Sequence, residues 1–532
     1  MAETRIDVQV DTNHASPDGK KSPNTCPSCE SHYDDDELAA ALATNAASIA
    51  LDAGTYGPIV VDRDVDLFGR CPAQTSVKNT ASGGHGIEIR GAHTVSIRSL
   101  TVTGTEYGLW ASDGAKIAVT QSQFSGDGAA AWIQANATLT LTHSLVAGTT
   151  QPMADGILVA RGGHAVLQDV ELRDMHIALQ AFGGSTATAS GLVVSDRSPE
   201  PLSALVIASH GGDVTVDRSL IFAQKTFAGG SSETDPRETG SIPSRLRITN
   251  SDLLRVDPTD AGAFDVSGGS TLELVNTTLE TRARIAISAE SGAIVNLERT
   301  VIRPVLPTDP AAFGLGAGLV INDGVQLTLD RTAILGVSES AVMASQACHI
   351  HLVGSLIADT WEFARTDLGK RGASGQAISL AGSASLDMED STLADNAGVA
   401  IWADRGGQTN VSVRGSAVIV TREPARSTEV AGILAWKGVV DVRDSLVHGI
   451  PGTALALGDV MGAVAGTTIS KSDVAFRLFG ASATVDAATA DVPPEPGQIV
   501  TNGNVLVETA TEQATDPLPL GDCRCSKPAS TP

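Results

Sequence analysis

One pattern recurs from about residue 86 onward. It runs as a glycine, two or three alternating apolar residues, a turn, three more alternating apolar residues, a Ser or Thr, and a further apolar pair. Gly86-Ile87-Glu88-Ile89 leads to Val95-Ser96-Ile97, Gly108-Leu109-Trp110-Ala111 leads to Ile117-Ala118-Val119, and Gly432-Ile433-Leu434-Ala435 leads to Val440-Asp441-Val442. The period, about 21 to 30 residues, lies in the range of stacked repeats. Alternation with a period of two means short strands with one buried face. No unit of this size can bury that face alone, so each must stack on the next. Some fourteen rungs about 4.8 Å apart predict a rod of roughly 65 Å built from parallel sheets. Glycines at fixed offsets are expected to supply the tight corners.

Composition agrees with a repeat rather than with several globular domains. The 532 residues include 10 Phe, 5 Trp and 3 Tyr, too few for large aromatic cores, while 54 Gly are spread along the chain. Hydrophobic residues make up 42%, too many for a disordered chain. The formal net charge of −25 excludes a protein that tracks nucleic-acid phosphates or binds an anionic membrane. No membrane span is expected, because the long uncharged stretch 128–154 alternates, as in Thr138-Leu139-Thr140-Leu141, and reads as strand. The polar start Met1-Ala2-Glu3-Thr4-Arg5 has no apolar signal region. Two readings of it stand: a form whose leader has been removed, or a cytosolic protein.

Residues 1–33 are polar and read as a flexible N-terminal segment. Asp34-Asp35-Asp36-Glu37 before Leu38-Ala39-Ala40-Ala41 predicts a short helix capping the open end of the rod. The expected divisions are a cap with the first coils over 34–85, regular coils over 86–486, and a C-terminal cap and tail over 487–532. Of the six cysteines, Cys348 falls at an inward apolar position and is expected to be a buried thiol. Cys26 or Cys29 with Cys71 is the expected disulfide. A four-thiolate zinc site from Cys26, Cys29, Cys523 and Cys525 would need the two chain ends to meet.

After the second strand many rungs place a hydroxyl at one position, among them Ser122, Ser219, Thr332, Ser355, Ser391 and Ser416, with Leu100 and Val170 as exceptions. Such a column predicts hydrogen bonding along the rod axis. The rung pattern resembles a right-handed parallel β-helix. The opening Ile49-Ala50-Leu51-Asp52-Ala53-Gly54-Thr55-Tyr56, followed by Val65-Asp66-Leu67-Phe68-Gly69, is similar to the lead-in of bacterial β-helix repeat proteins of the pectate-lyase-like superfamily. The resemblance spans about residues 45–485. It implies an all-β, single-stranded right-handed parallel β-helix solenoid with a short N-terminal capping helix. It leaves function open, because that superfamily includes lyases, glycoside hydrolases, epimerases, adhesins and surface proteins.

In enzymes of the superfamily the site lies on or beside the outer face of the first sheet. The outward positions read there include Glu88, Trp110, Trp132, Leu158, Ala178, Val206, Asp265, Ala286, Met343, Trp402 and Leu434. Glu88 and Asp265 are many rungs apart and cannot form the carboxyl pair of a hydrolase. Gly84-His85-Gly86 matches a polygalacturonase tripeptide without its partner motifs, so His85 reads as an exposed corner residue. A second outward column comprises Glu273, Asn296, Thr328, His351, Asp387, Ser412 and Asp441. There His351 and Asp387 form an alternative catalytic pair, and His349, His351 and Asp387 an alternative divalent-metal set. Trp110, Trp132, Trp402 and Trp436 fall at or next to outward strand positions and suggest an exposed aromatic strip that stacks on sugars or packs on a partner. Insertions near 224–245, 304–316, 359–374 and 421–430 should project from one side as recognition loops.

The primary expectation is a non-catalytic extracellular or cell-surface β-helix that binds a glycan or a partner protein through those tryptophans. The alternatives are a carbohydrate-active enzyme, either a polysaccharide lyase or a glycoside hydrolase, and a structural spacer. The expected partner is a polysaccharide or a surface protein, with no nucleic acid. No cofactor is expected, a divalent cation being the alternative.

Overall fold

In the computed structural model the described residues are 29–32, 35–44, 46–149, 151, 154–195, 206–223, 242–255, 262–304, 316–361, 375–403, 407–421, 431–479, 482–484, 498–502, 505–507 and 510–513. They form a right-handed parallel β-solenoid of about 14 turns with one small helix at its N-terminal end. A rung contributes one short strand to each of three parallel sheets. Tyr107–Ala111 lies in the first sheet, Lys116–Thr120 in the second and Gln123–Gly126 in the third. The next rung repeats this as Ala129–Ile133, Thr138–Thr142 and Leu145–Ala147.

Register follows the alternation. Ile87, Leu109, Ala131, Ile157 and Leu179 stack in the first sheet, and Ile117, Leu139 and Ala165 in the second. All of these are 2% exposed or less. Burying a Leu or Ile side chain contributes about 1.5–3 kcal/mol, and these stacks run on as one continuous core. The helix, Asp35–Ala43, lays Leu38 and Ala41 on the end of that core. The Arg63 guanidinium donates to the carbonyls of Ala41 and Ala46, which places a cation at the negative end of the helix dipole.

Three expectations change here. The strand Cys29–His32 pairs in parallel with Ser48–Leu51, inside the stretch read as a flexible lead-in. Strands Gln498–Asn502 and Val505–Val507 pair with the preceding rung, so the coil continues past residue 486. The corner between the second and third sheets holds a left-handed glycine in the rungs of Gly191, Gly354, Gly415 and Gly466 and a non-glycine residue in the others. Gln121, His143, Arg218, Asn276, Arg331 and Asp390 occupy it with φ from 47° to 56°, a conformation costing an L-residue about 1–2 kcal/mol.

The hydroxyl column offsets that cost. Each hydroxyl directly follows the left-handed residue and makes at least two backbone bonds. Ser391 Oγ accepts from the Ser355 amide at 3.0 Å and donates to the Glu389 carbonyl at 2.7 Å. Ser416 Oγ repeats this with the Ser391 amide at 3.1 Å and the Arg414 carbonyl at 2.8 Å. The column therefore bonds along the axis, but hydroxyl to backbone rather than hydroxyl to hydroxyl. Polar side chains on the left-handed residues add a shorter ladder: Asn276 Nδ2 donates to Asn250 Oδ1, and Asn250 Nδ2 to Asp217 Oδ1, each at 2.8 Å.

Candidate functional site on the outer face of the first sheet

The first sheet positions one cluster of aromatic and titratable side chains. Its N-terminal run of seven strands, from Ile59–Val61 to Val206–Ser209, aligns outward Glu88, Trp110, Trp132 and Leu158 as expected. The next two positions are Gln180 and Ile207, not Ala178 and Val206, and further along Ser288 stands in place of Ala286. Corner lengths differ between rungs, so a position counted from the preceding turn slips by one or two residues. Val206 is accordingly buried in the core, and Ala178 sits buried at a corner.

Five rings form a row across this face. His85 stacks on Trp110 at 5.7 Å and 7°, and on Tyr107 at 5.3 Å. Tyr107 meets Trp132 at 5.2 Å, and Phe182 meets Trp132 edge-on at 6.0 Å. His85 is thus a half-buried member of the row and not an exposed corner residue, and its Nδ1 is buried without a hydrogen-bond partner. Leu158 is 6% exposed beneath the row. The spacing suits aromatic pairs, which favour offset or edge-on contacts 4.5–7 Å apart.

Titratable groups gather where these strands begin. Asp155 opens the strand Asp155–Ala160 and stands in register with Ala129, which stands in register with Tyr107. Its Oδ1 lies 3.1 Å from His176 Nδ1 and accepts the Ile177 amide at 3.1 Å. Burial pushes the Asp155 carboxyl above the usual carboxylate range, against the opposing pull of His176 and of the Ile177 amide. Burial also raises the Tyr107 phenol, as do the charge of Glu106, a hydrogen bond to that carboxylate, and the charge of Asp155. Gly83 and Gly128 flank Glu106 on the neighbouring rungs, and a Cβ at Gly128 would lie 2.8 Å from the Glu106 carbonyl oxygen. Glu106, Tyr107, Asp155 and His176 escaped the sequence reading because they sit at corners, outside the alternating segments. The aspartate directly before Gly156-Ile157-Leu158-Val159 was the available signal.

The aromatic strip does not extend to the other end. Trp436 is 6% exposed and Leu434 is 1% exposed. Trp436 joins Val399, Ala431, Leu434 and Ala456 in a small closed cluster against which Trp402 packs. Gly458, opposite Trp436 on the next rung, makes room for the indole: a Cβ there would lie 2.0 Å from the ring.

The second-sheet column forms in the predicted register, from Glu273 through Asn296, Thr328, His351, Asp387 and Ser412 to Asp441. His351 and Asp387 are neighbours in that register, but Asp387 approaches His349, with Nε2 to Oδ2 at 3.6 Å, while His349 Nδ1 bonds Ser385 Oγ at 2.8 Å. Both partners of that contact are about half exposed. Among the described residues no three His, Cys, Asp or Glu side chains gather so as to hold a metal ion, so the set His349, His351 and Asp387 is not assembled. Arg245 and Arg247 reach Glu273, and Arg443 reaches Asp441. Exposed pairs of this kind contribute about 0–1 kcal/mol each.

Cys348 is a buried free thiol, raised by that burial. Cys71 is also a free thiol; Cys26, Cys523 and Cys525 lie outside the described residues, and of Cys29 the backbone alone is described, so the expected bridge falls outside them as well. Of the insertions, residues 224–241, 305–315, 362–374 and 422–430 likewise lie outside them. Among the described residues no helix is long and apolar enough to cross a membrane.

No protein-family model and no curated protein sequence matches the chain. Several solved structures do. The catalytic domain of a GH87 α-1,3-glucanase variant in complex with tetrasaccharides is 13% identical, covering 69% of each chain with a TM-score of 0.36. Pectin methylesterase PemA from Erwinia chrysanthemi is 10% identical, over 51% of this chain and 78% of its own, with a TM-score of 0.22. The PL6-family alginate lyase AlyGC is 8% identical, over 92% and 99%, also with a TM-score of 0.22. The expectation of a non-catalytic binding protein is withdrawn. The continuous exposed aromatic strip behind it does not exist, since Trp436 is buried and Trp402 packs on it. On its own strand pairing, the chain is a parallel β-helix.

Proposed function

We propose that the protein is a carbohydrate-active enzyme that hydrolyses a polysaccharide laid along the aromatic row, with Asp155 as general acid and Glu106 as the second carboxyl. One observation carries this reading. A largely buried carboxyl with a raised proton affinity, oriented by His176 and Ile177, stands at the edge of a row of aromatic faces. Aromatic faces take up the apolar faces of sugars. A carboxyl whose proton affinity is raised by burial is suited to donate to a glycosidic oxygen.

In the proposed reaction Asp155 protonates the leaving oxygen as the bond from the anomeric carbon breaks. Water adds to that carbon and gives its proton to Glu106. Glu106 and Asp155 stand about two rungs apart, roughly 9.6 Å between backbones. Inverting hydrolases place their carboxyls about 6.5–9.5 Å apart, close to that backbone spacing. His176 is a positioning residue, because it acts through Asp155. A polysaccharide substrate is consistent with a secreted or surface location.

The test is incubation with a panel of neutral and acidic polysaccharides. New reducing ends are expected from the wild-type protein and not from Asp155→Asn. No product from any polysaccharide, or full activity in Asp155→Asn, overturns the proposal.

A further inference from the structure

The charge around the aromatic row bears on which glycan it can hold. From Val60 to Ile207 the outward column of the first sheet contains no Lys or Arg. Its charged member is Glu88, 17% exposed. Arg90, two residues on, is the cation beside it, and its guanidinium is held by the Glu88 carboxylate. Glu106 and Asp155 border the row where its strands begin, and the whole chain carries −25.

A polyuronate or sulfated glycan brings a negative charge to most of its sugars. A site for such a chain needs cations to neutralise it, because like charges brought together without partners weaken binding. The described outward column offers no cation to do so, while the rings and carboxylates suit hydroxyls and apolar sugar faces. From the Trp110 rung to the Phe182 rung the row spans three rung spacings, about 14 Å, which accommodates several sugars in line.

We infer that the aromatic row takes an uncharged glycan chain and rejects polyuronates, the acidic border of the row acting as the charge filter. The inference rests on the reading of this face as the substrate site. It adds the substrate class, which that reading leaves open.

The experiment measures binding and turnover separately. Affinity electrophoresis and tryptophan fluorescence are recorded with soluble neutral glucans, xylan, polygalacturonate and alginate, at low and near-physiological salt. The proteins are the wild type and Glu106→Gln/Asp155→Asn, both as full chains, with circular dichroism confirming the fold of the variant. A neutral glycan is expected to bind both proteins with little dependence on salt. Polyuronates are expected not to bind the wild type, and to gain affinity at least several-fold in the double variant.

Wild-type cleavage of a polyuronate while neutral chains are left intact would overturn the substrate class and leave the enzyme reading standing. Neutral binding without product from any chain would do the reverse. Absence of binding to every glycan would sink both.

Discussion

The Asp155 carboxylate lies 3.1 Å from His176 Nδ1, with 18% of each side chain exposed, although the two residues come from successive rungs. The pair joins a buried acid to an orienting imidazole beside a row of rings. Asp155→Asn keeps the shape and removes the titrating proton. It is expected to lower kcat by about 10²- to 10⁴-fold, the usual contribution of a general acid, with little change in the affinity for bound glycan. Reducing-end assays and fluorescence titrations of the two proteins check this.

The same carboxyl makes stability depend on pH. Burial holds its proton affinity above that of an unfolded aspartate, so the folded chain binds more protons between the unfolded and folded values. Stability from this group is present below the unfolded value and is lost as pH rises through the folded one. His176, Tyr107 and Glu106 face or border the group and are retained in Asp155→Asn. The wild-type melting temperature relative to that variant is therefore expected to fall as pH rises through and above the ordinary carboxylate range. A difference that grows with pH would contradict the assignment.

Trp132 and Trp436 should behave oppositely. Trp132→Ala removes a ring that contacts Tyr107 and Phe182 on the outer face. An aromatic contact of about 0.5–1.5 kcal/mol translates into a roughly 2- to 12-fold rise in KM. Trp436→Ala empties a closed cluster and is expected to cost about 3–5 kcal/mol of stability with KM unchanged. Denaturation curves and kinetics on both variants separate the two roles.

The second-sheet pair provides a control. Asp387 makes an exposed contact with His349, worth about 0–1 kcal/mol. His351→Ala and Asp387→Asn are expected to leave turnover and melting temperature nearly unchanged. Loss of turnover in either would move the site from the first sheet to the second.

Ser391→Ala tests the ladder. It leaves the Ser355 amide without its acceptor in a buried corner, and an unsatisfied buried donor costs about 1–3 kcal/mol. A lower melting temperature with unaltered activity is expected. A neutral substitution would show that the left-handed corners hold without their hydroxyls.

The fold was legible because its cause is local and repeated. Alternation decides which side chain of a strand faces inward, and repetition at a near-constant period leaves stacking as the way to bury those faces. The column from Glu273 to Asp441 came out in register, since each of its residues sits mid-strand between apolar neighbours. The left-handed corners between the second and third sheets were read correctly where Gly354 and Gly415 stand, and misread where a following Ser or Thr supports Gln121, His143 or Arg331. The site was not legible for a further reason. His85, Tyr107, Trp132 and Phe182 come from four rungs, and Asp155 meets His176 across 21 residues of chain.

The sequence by itself determined that this chain coils into parallel rungs with an aliphatic core and a column of corner hydroxyls. The tertiary structure alone decided which rings touch, which tryptophans are covered and which carboxyl is withdrawn from water. Those outcomes depend on how far each corner carries the chain before the next strand begins, and that distance is set by stacking against the neighbouring rung rather than by the residues of the corner themselves.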